Sequence, residues 1–171
     1  LHTVVSPGAG RDTRLAAGYL HARAESKSLD WIDEQLEPLA ARSKECADFV
    51  LDLTWRLPAT AVAARRITGL LRSGVLPDRS FRVVQHGPWA DRVPLDRFIE
   101  LASDLMTRPE LKDTAAAIVA SRIKRNPSDR PHLSGLAARI AIDVDVIRTK
   151  GPEAFHWTIL AEASLDEHAP E

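Results

Sequence analysis

Residues 95–106 read LDRFIELASDLM, and the spacing of their apolar side chains decides the fold class of this chain. Apolar residues recur three and four positions apart, as one face of an α-helix requires. These residues are Leu95, Phe98, Ile99, Ala102, Leu105 and Met106. Pro94 suits the first turn of such a helix, where a missing N–H costs no hydrogen bond. The stretch therefore predicts an amphipathic helix with one buried face.

The residues before this stretch predict five earlier helices. The first begins at Asp12 or Thr13 and carries Leu15, Tyr19 and Ala22 on one face. The positions that we expect to be buried in the next four are Leu29, Ile32, Leu36, Leu39, Cys46, Phe49, Val50, Leu53, Trp55, Leu57, Ile67, Leu70, Leu71, Phe81 and Val84.

Capping residues give the limits of these helices. Ser28 and Thr60 fit N-caps, because a short hydroxyl side chain accepts a hydrogen bond from a free N–H of the first turn. Gly74 fits the end of the fourth helix, and Asp78 the start of a short fifth one. We expect Pro38 to bend the second helix or to end it early.

Three further helices follow residues 95–106. Pro109 opens the seventh, the eighth begins near Pro131, and the ninth extends to Leu165. Their expected buried positions are Leu111, Ala115, Ile118, Val119, Ile123, Leu133, Leu136, Ala137, Ile140, Val144, Ile147, Phe155, Ile159 and Leu160. Only residues 81–84 come near a strand pattern, and a lone strand cannot form a sheet.

The sequence thus predicts an all-α fold of eight or nine helices. We expect residues 1–10 to be an irregular entry segment, 11–165 one helical-repeat domain and 166–171 a polar tail. Short connections make consecutive helices antiparallel neighbours. Their stacking in pairs gives an α-α superhelix of the HEAT or TPR type, and a closed helical bundle is the alternative.

A repeat is suggested by two helices that align without a gap. Leu29, Ile32 and Leu39 fall on Leu95, Phe98 and Leu105, an offset of 66 residues or two steps of 33. Periods of about 20–50 residues are typical of stacked helical repeats. Because one helix pair cannot bury its apolar face alone, stacking would create one continuous core.

Composition excludes several function classes. The 23 basic and 24 acidic residues nearly cancel, so no overall charge attracts nucleic acid or an anionic membrane. A single cysteine, Cys46, excludes an internal disulfide framework and a cysteine-based zinc site. The sequence shows neither an 18-residue apolar run nor a secretory leader. We therefore expect a cytoplasmic protein, and from its first residue, Leu1, a piece of a longer one.

One local string, His86-Gly87-Pro88-Trp89, has two interpretations. An exposed Trp89 beside His86 would anchor a partner protein. Alternatively, the Gly-Pro pair makes a turn and Trp89 packs over a helix end, which is the interpretation that we favour.

Basic side chains cluster at two places. Arg65, Arg66 and Arg72 lie on the fourth helix, and a second group surrounds one turn: Arg122, Lys124, Arg125 and Arg130. Both groups could contact phosphates, but helix faces in solvent and charges at helix C-termini explain them equally well. Together with His86 and Trp89, the three arginines of the fourth helix form our candidate interaction surface.

No catalytic, cofactor or metal site is assigned. Glu100 and Asp104 share a helix face, but two carboxylates are usually surface charge. Glu153 and His156 have the spacing of half a di-metal site, and the second half is missing. The pairs His21 with Glu25 and Asp143 with Asp145 are also set aside. Cys46 is expected to be a small core residue.

Four strings resemble the helical-repeat regions, HEAT- or TPR-like, that follow the nucleotidase core of large bacterial NTPases, some of them in defence systems. The strings are residues 17–23 (AGYLHAR), 49–57 (FVLDLTWRL), 66–74 (RITGLLRSG) and 98–101 (FIEL). The resemblance covers about residues 13–125, contains no diagnostic motif and carries over no functional residue. It implies a sensing or scaffolding arm whose catalytic part lies elsewhere.

The function expected from the sequence is therefore a non-catalytic module that binds another protein or another domain of its own chain. Self-association through exposed ends of the helical stack is also expected. Two alternatives stay open, a nucleic-acid-binding helical array and a small all-α enzyme or ligand-binding bundle. The enzyme would require a cavity in which several of these residues meet: His86, Glu100, Asp104, Glu153 and His156.

Overall fold

The computed structural model describes residues 13–86, 88–143 and 152–165, without the side chains of residues 25, 26 and 152–154. This part of the chain is helical and contains no strand. Its α-helices are α1 (Thr13–Ser26), α2 (Leu29–Ala40), α3 (Lys44–Arg56), α4 (Ala61–Ser73), α5 (Trp89–Arg92), α6 (Leu95–Met106), α7 (Lys112–Arg125), α8 (Arg130–Ala141) and α9 (Pro152–Leu165). Three 3-10 helices span Asp78–Gln85, Pro109–Leu111 and Pro127–Asp129. None of the described helices has the length and apolar content needed to cross a membrane.

The helices lie in two rows that alternate along the chain. The first row contains α1, α3, the 3-10 helix Asp78–Gln85, α7 and α9, and each member contacts the next. The second row contains α2, α4, α6 and α8, which also contact in order. The members of the second row begin at Leu29, Ala61, Leu95 and Arg130, close to the 33-residue step suggested by the sequence. Such neighbours are expected of stacked helix pairs.

The buried side chains form two clusters. The N-terminal cluster consists of Ala16, Ala17, Leu20, Ile32, Leu36, Leu39, Phe49, Val50, Leu53 and Leu57. The main cluster is larger and extends from Ala47 to Ala163. Helix α3 belongs to both, because Ala47 and Leu51 face the main cluster while its Phe49 and Leu53 face the other.

The predicted caps are confirmed. The Ser28 hydroxyl accepts a hydrogen bond from the Trp31 N–H at 3.1 Å, and Thr60 accepts one from Ala63 at 2.9 Å. Gly74 ends α4 with φ +65°, a conformation that costs glycine little.

The predicted buried face of α1 is wrong. Leu15 and Tyr19 are 74% and 50% exposed, and the buried residues are Ala16, Ala17 and Leu20. Helix α1 has apolar residues on two faces, and the packing against α2 and α3 uses the face with the small alanines.

Other expectations also differ from the structure. Of the two effects expected of Pro38, an early end of the helix is not observed, because α2 continues to Ala40. Leu29 and Phe155 are exposed rather than buried. Residues 89–92 form a short helix that the sequence pattern does not indicate.

Some expectations lie outside the described residues. Helix α8 ends at Ala141. The positions Val144 and Ile147, which were expected to continue its apolar face, belong to the part that is not described.

Candidate functional site

Trp89 is a core residue and not an exposed anchor. Its side chain is 4% exposed and belongs to the main cluster, while His86 lies exposed after the 3-10 helix. The observed arrangement is the packing alternative for this string. The indole Nε1 of Trp89 is buried and has no hydrogen-bond partner among the described residues.

The three candidate arginines of α4 have different environments. The buried Arg66 donates to Asp33 at 2.5 Å and to the Thr54 hydroxyl at 3.4 Å. Arg72 pairs with Glu100 at 2.9 Å and with Asp104 at 2.7 Å. Only Arg65 extends into solvent without such a partner in the described structure. The prediction is wrong for Arg66, which is buried, whereas Arg65 and Arg72 are both exposed.

The carboxylates Glu100 and Asp104 hold α6 to α4 through Arg72. A hydrogen bond from Arg97, together with the bond and charge of Arg72, lowers the pKa of Glu100. In turn, hydrogen bonding to Asp104 raises the pKa of Arg72. Glu100 and Asp104 therefore link two helices of the second row, because both pair with the same arginine.

The second basic group is also tied to the fold. Arg122 donates to Asp129 at 2.6 Å and to the carbonyl of Val93 at 2.6 Å. Arg125 pairs with Asp91 at 2.9 Å. The Arg130 guanidinium donates to a main-chain carbonyl of α9, and the Lys124 ammonium lies 5.2 Å from the centroid of the Phe155 ring.

The candidate metal and catalytic residues that the structure describes include no three that could hold a metal ion together, because the described residues contain no such group of His, Cys, Asp or Glu. His21 Nε2 lies 3.2 Å from the Arg56 carbonyl oxygen, and Asp143 pairs with Lys112 at 2.9 Å. Cys46 packs at the edge of the N-terminal cluster. Asp145 and the side chains of Glu25 and Glu153 lie outside the described structure.

A groove of about 720 Å³ lies between α1, the C-terminal end of α3 and α5. This volume is within the range of small-ligand sites. The groove, called the arginine groove below, is lined by Arg14, Ala17, His21, Trp55, Arg56, Leu57, Pro58, Ala59, Pro88, Trp89 and Arg92. These residues come from three separate stretches of the chain, and apart from the Trp89 string and His21 none was considered as a site residue from the sequence.

One carboxylate behind the groove fixes two of its side chains. Asp52 accepts a hydrogen bond from the Trp55 indole at 2.9 Å and from two nitrogens of Arg56 at 3.2 and 3.3 Å. The Arg56 guanidinium lies over the Trp55 ring, 4.6 Å from its centroid. Burial alone would raise the pKa of Asp52, but hydrogen bonds from Thr13, Trp55 and Arg56 outweigh it and hold that pKa below the usual value of an aspartate.

The lining of the arginine groove has a one-sided charge. It contains three arginines and one histidine and no aspartate or glutamate. The Arg92 side chain forms no ion pair or hydrogen bond with any described residue. The lining therefore presents hydrogen-bond donors and positive charge, and no carboxylate of a described residue pairs with Arg92.

A second groove, of about 510 Å³, lies between α2 and α4 and is lined in part by Arg65, Lys44, Glu37 and Gly69. It includes a carboxylate, so its charge is mixed. Comparison of the chain with protein-family models, with curated proteins and with solved structures finds no match. A function is therefore argued from the contacts and charges above.

Proposed function

We propose that this chain is a non-catalytic helical scaffold or sensor module that binds another protein or another domain of a longer chain. The observation that carries this proposal is the position of the exposed apolar side chains. They lie mainly on the first and last helices of the two rows, whereas the helices between them bury theirs.

Helix α1 exposes Leu15 and Tyr19. At the other end, Ile142 follows α8, and α9 exposes Phe155, Trp157 and Leu165. Of the other large apolar side chains in the described structure, only Leu29 and Val75 are exposed, and neither lies within a helix interior. Grouped exposed apolar side chains are typical of protein interaction sites.

The environment of the arginines favours a protein partner over nucleic acid. Arg66, Arg72, Arg122 and Arg125 each pair with a carboxylate, which reduces the positive potential that phosphates would meet. This supports the protein-binding proposal rather than the helical array for nucleic acid.

The proposal predicts self-association through the end surfaces. In the double variant Leu15→Gln and Tyr19→Gln, the exposed face of α1 becomes polar while the buried Ala16 and Leu20 are unchanged. We expect the parent chain to form dimers or larger species as its concentration rises, and the variant to stay monomeric over the same range. Sedimentation velocity measures both.

Val75→Gln is the matched control, because Val75 is exposed but lies away from both end helices. It should associate like the parent chain. Equal association of the parent and the double variant would contradict the role of α1, and a parent chain that stays monomeric throughout would contradict the end surfaces as interaction sites.

A further inference from the structure

We propose that the arginine groove binds an acidic peptide segment of the partner, an extended stretch with several Asp or Glu residues. This inference rests on the proposed function, because it names the chemistry of the protein that the module would bind. It concerns a surface that shares α1 with the exposed apolar ends but is formed by other residues of that helix.

The charge of the groove is the first argument. The whole chain has nearly equal numbers of acidic and basic residues, whereas the lining of the groove combines Arg14, Arg56, Arg92 and His21 with no acidic residue. Asp52, which pairs with Arg56, lies outside this lining. A concave surface with charge of one sign attracts ligands of the opposite sign.

The arrangement of the arginines is the second argument. Arg56 is held in place by Asp52 and by the Trp55 ring, so it loses little conformational freedom when a ligand binds. Arg92 supplies a guanidinium that no described residue neutralises. Guanidinium groups bind carboxylates through two parallel hydrogen bonds, so the groove suits Asp and Glu side chains.

The apolar walls are the third argument. Between the arginines lie Ala17, Leu57, Pro58, Ala59 and Pro88. The prolines lack an N–H and hold their backbone in a fixed conformation. An extended peptide can place apolar side chains on these walls and carboxylates on the arginines, whereas a small free anion would use the arginines alone.

The tryptophans argue against a nucleotide or single-stranded nucleic acid. Recognition of such ligands depends on stacking of bases on free aromatic faces. Trp89 is almost completely buried, and the Arg56 guanidinium covers one face of the half-buried Trp55. The groove therefore offers charge without an open stacking surface.

A designed peptide tests the proposal. The probe is an acetylated and amidated octapeptide, Gly-Glu-Glu-Leu-Glu-Glu-Pro-Gly, and the control peptide has Gln in place of every Glu. Isothermal titration at low ionic strength should show saturable binding of the acidic peptide, with a Kd below about 1 mM, and none of the control. Added salt should weaken the binding.

Arg92→Ala tests the location of the site. Because Arg92 has no polar partner in the described structure, its removal breaks no hydrogen bond or ion pair there. We expect binding roughly threefold to tenfold weaker. Arg139→Ala is the matched control, since Arg139 is an exposed arginine of α8 outside the groove. It should bind like the parent chain.

The indole N–H signals give a second, residue-specific measurement. In ¹H–¹⁵N spectra, the signals of Trp55 and Trp89 should shift with added peptide. The signal of Trp157, whose indole donates to the Ala141 carbonyl, should not shift.

Three results would overturn the proposal: no saturable binding, equal losses in Arg92→Ala and Arg139→Ala, or binding of oligothymidylate in place of the peptide. Self-association through the end helices is measured separately. Its persistence without peptide binding would refute the groove and leave the proposed function intact, and the reverse pattern would refute the end surfaces.

Discussion

Arg66 shows how a single charged side chain can connect three helices of this fold. It lies on α4, donates to Asp33 on α2 and reaches the hydroxyl of Thr54 on α3. Its side chain is 4% exposed and that of Asp33 13%. A guanidinium at this depth depends on its partners, because an unpaired buried charge is costly. Arg66 therefore stabilises the junction between the two rows rather than binding a ligand.

We predict that Asp33→Asn lowers the free energy of unfolding by about 3 kcal/mol, since it leaves the charge of Arg66 buried without a counterion. Urea denaturation measures the change. Glu34→Gln, one position along on the exposed side of α2, should change stability by less than about 0.5 kcal/mol. A similar small loss in both variants would show that the ion pair contributes little.

At the scale of the helix, α4 contains one glycine and is capped by another, and the two have opposite conformational requirements. Gly69 lies inside the helix and Gly74 ends it at φ +65°. An added Cβ would meet no atom within 4 Å at either position. Any effect of a substitution by alanine therefore comes from the backbone and not from a steric clash.

Gly69→Ala should raise the free energy of unfolding by about 0.5–1 kcal/mol, because alanine favours the helix. Gly74→Ala should lower it by about 1 kcal/mol, because alanine is strained in the left-handed region. Thermal unfolding of the two variants beside the parent chain measures both signs. The same sign for both would contradict the assigned end of α4.

The elements that could be predicted from sequence are those fixed by local chemistry. Ser28, Thr60 and Gly74 act on N–H or C=O groups within a few residues, so their roles follow from neighbours in the chain. The buried face of α1 depends instead on which surface of α3 it contacts. The sequence alone gives Leu15 and Leu20 equal standing as buried residues of this helix. Distant contacts also decide that Arg66 is buried.

The arginine groove could not be predicted for the same reason. Its residues belong to α1, the end of α3 and α5, and only the tertiary packing of these three parts of the chain brings them together. The sequence does contain a weak signal, because residues 55–59 (WRLPA) and 88–92 (PWADR) each combine a tryptophan, an arginine and a proline. Two similar strings do not indicate that they face the same groove.

At the scale of the whole molecule, the two buried clusters differ in size and share α3. The N-terminal cluster contains ten buried residues, whereas the main cluster extends over most of the remaining helices. Regions with fewer buried contacts open at lower free energy in native proteins. The two parts are therefore expected to differ in local stability.

We predict that Leu36→Ala, within the N-terminal cluster, lowers the opening free energy of amides in α1 and α2 by about 2–5 kcal/mol and leaves α7 nearly unchanged. Phe98→Ala, in the main cluster, should reduce the protection of amides against exchange in α7 and in α1 alike. The reason is that α1 and α2 pack on α3, which is itself part of the main cluster. Native-state hydrogen exchange measures each helix. Equal loss in α7 for both variants would indicate a single cooperative unit.

The double role of α3 has a consequence for signal transmission. In the described structure, α1 makes its main contacts with α2 and α3, and α3 is the helix whose opposite faces belong to different clusters. A peptide held between Arg14 and Arg92 would press on α1 and on the end of α3 together. A displacement of α1 by the peptide would reach the main cluster through α3, and a displacement of α5, which also lines the groove, would reach α7 directly. An occupied groove therefore has two routes to the C-terminal helices.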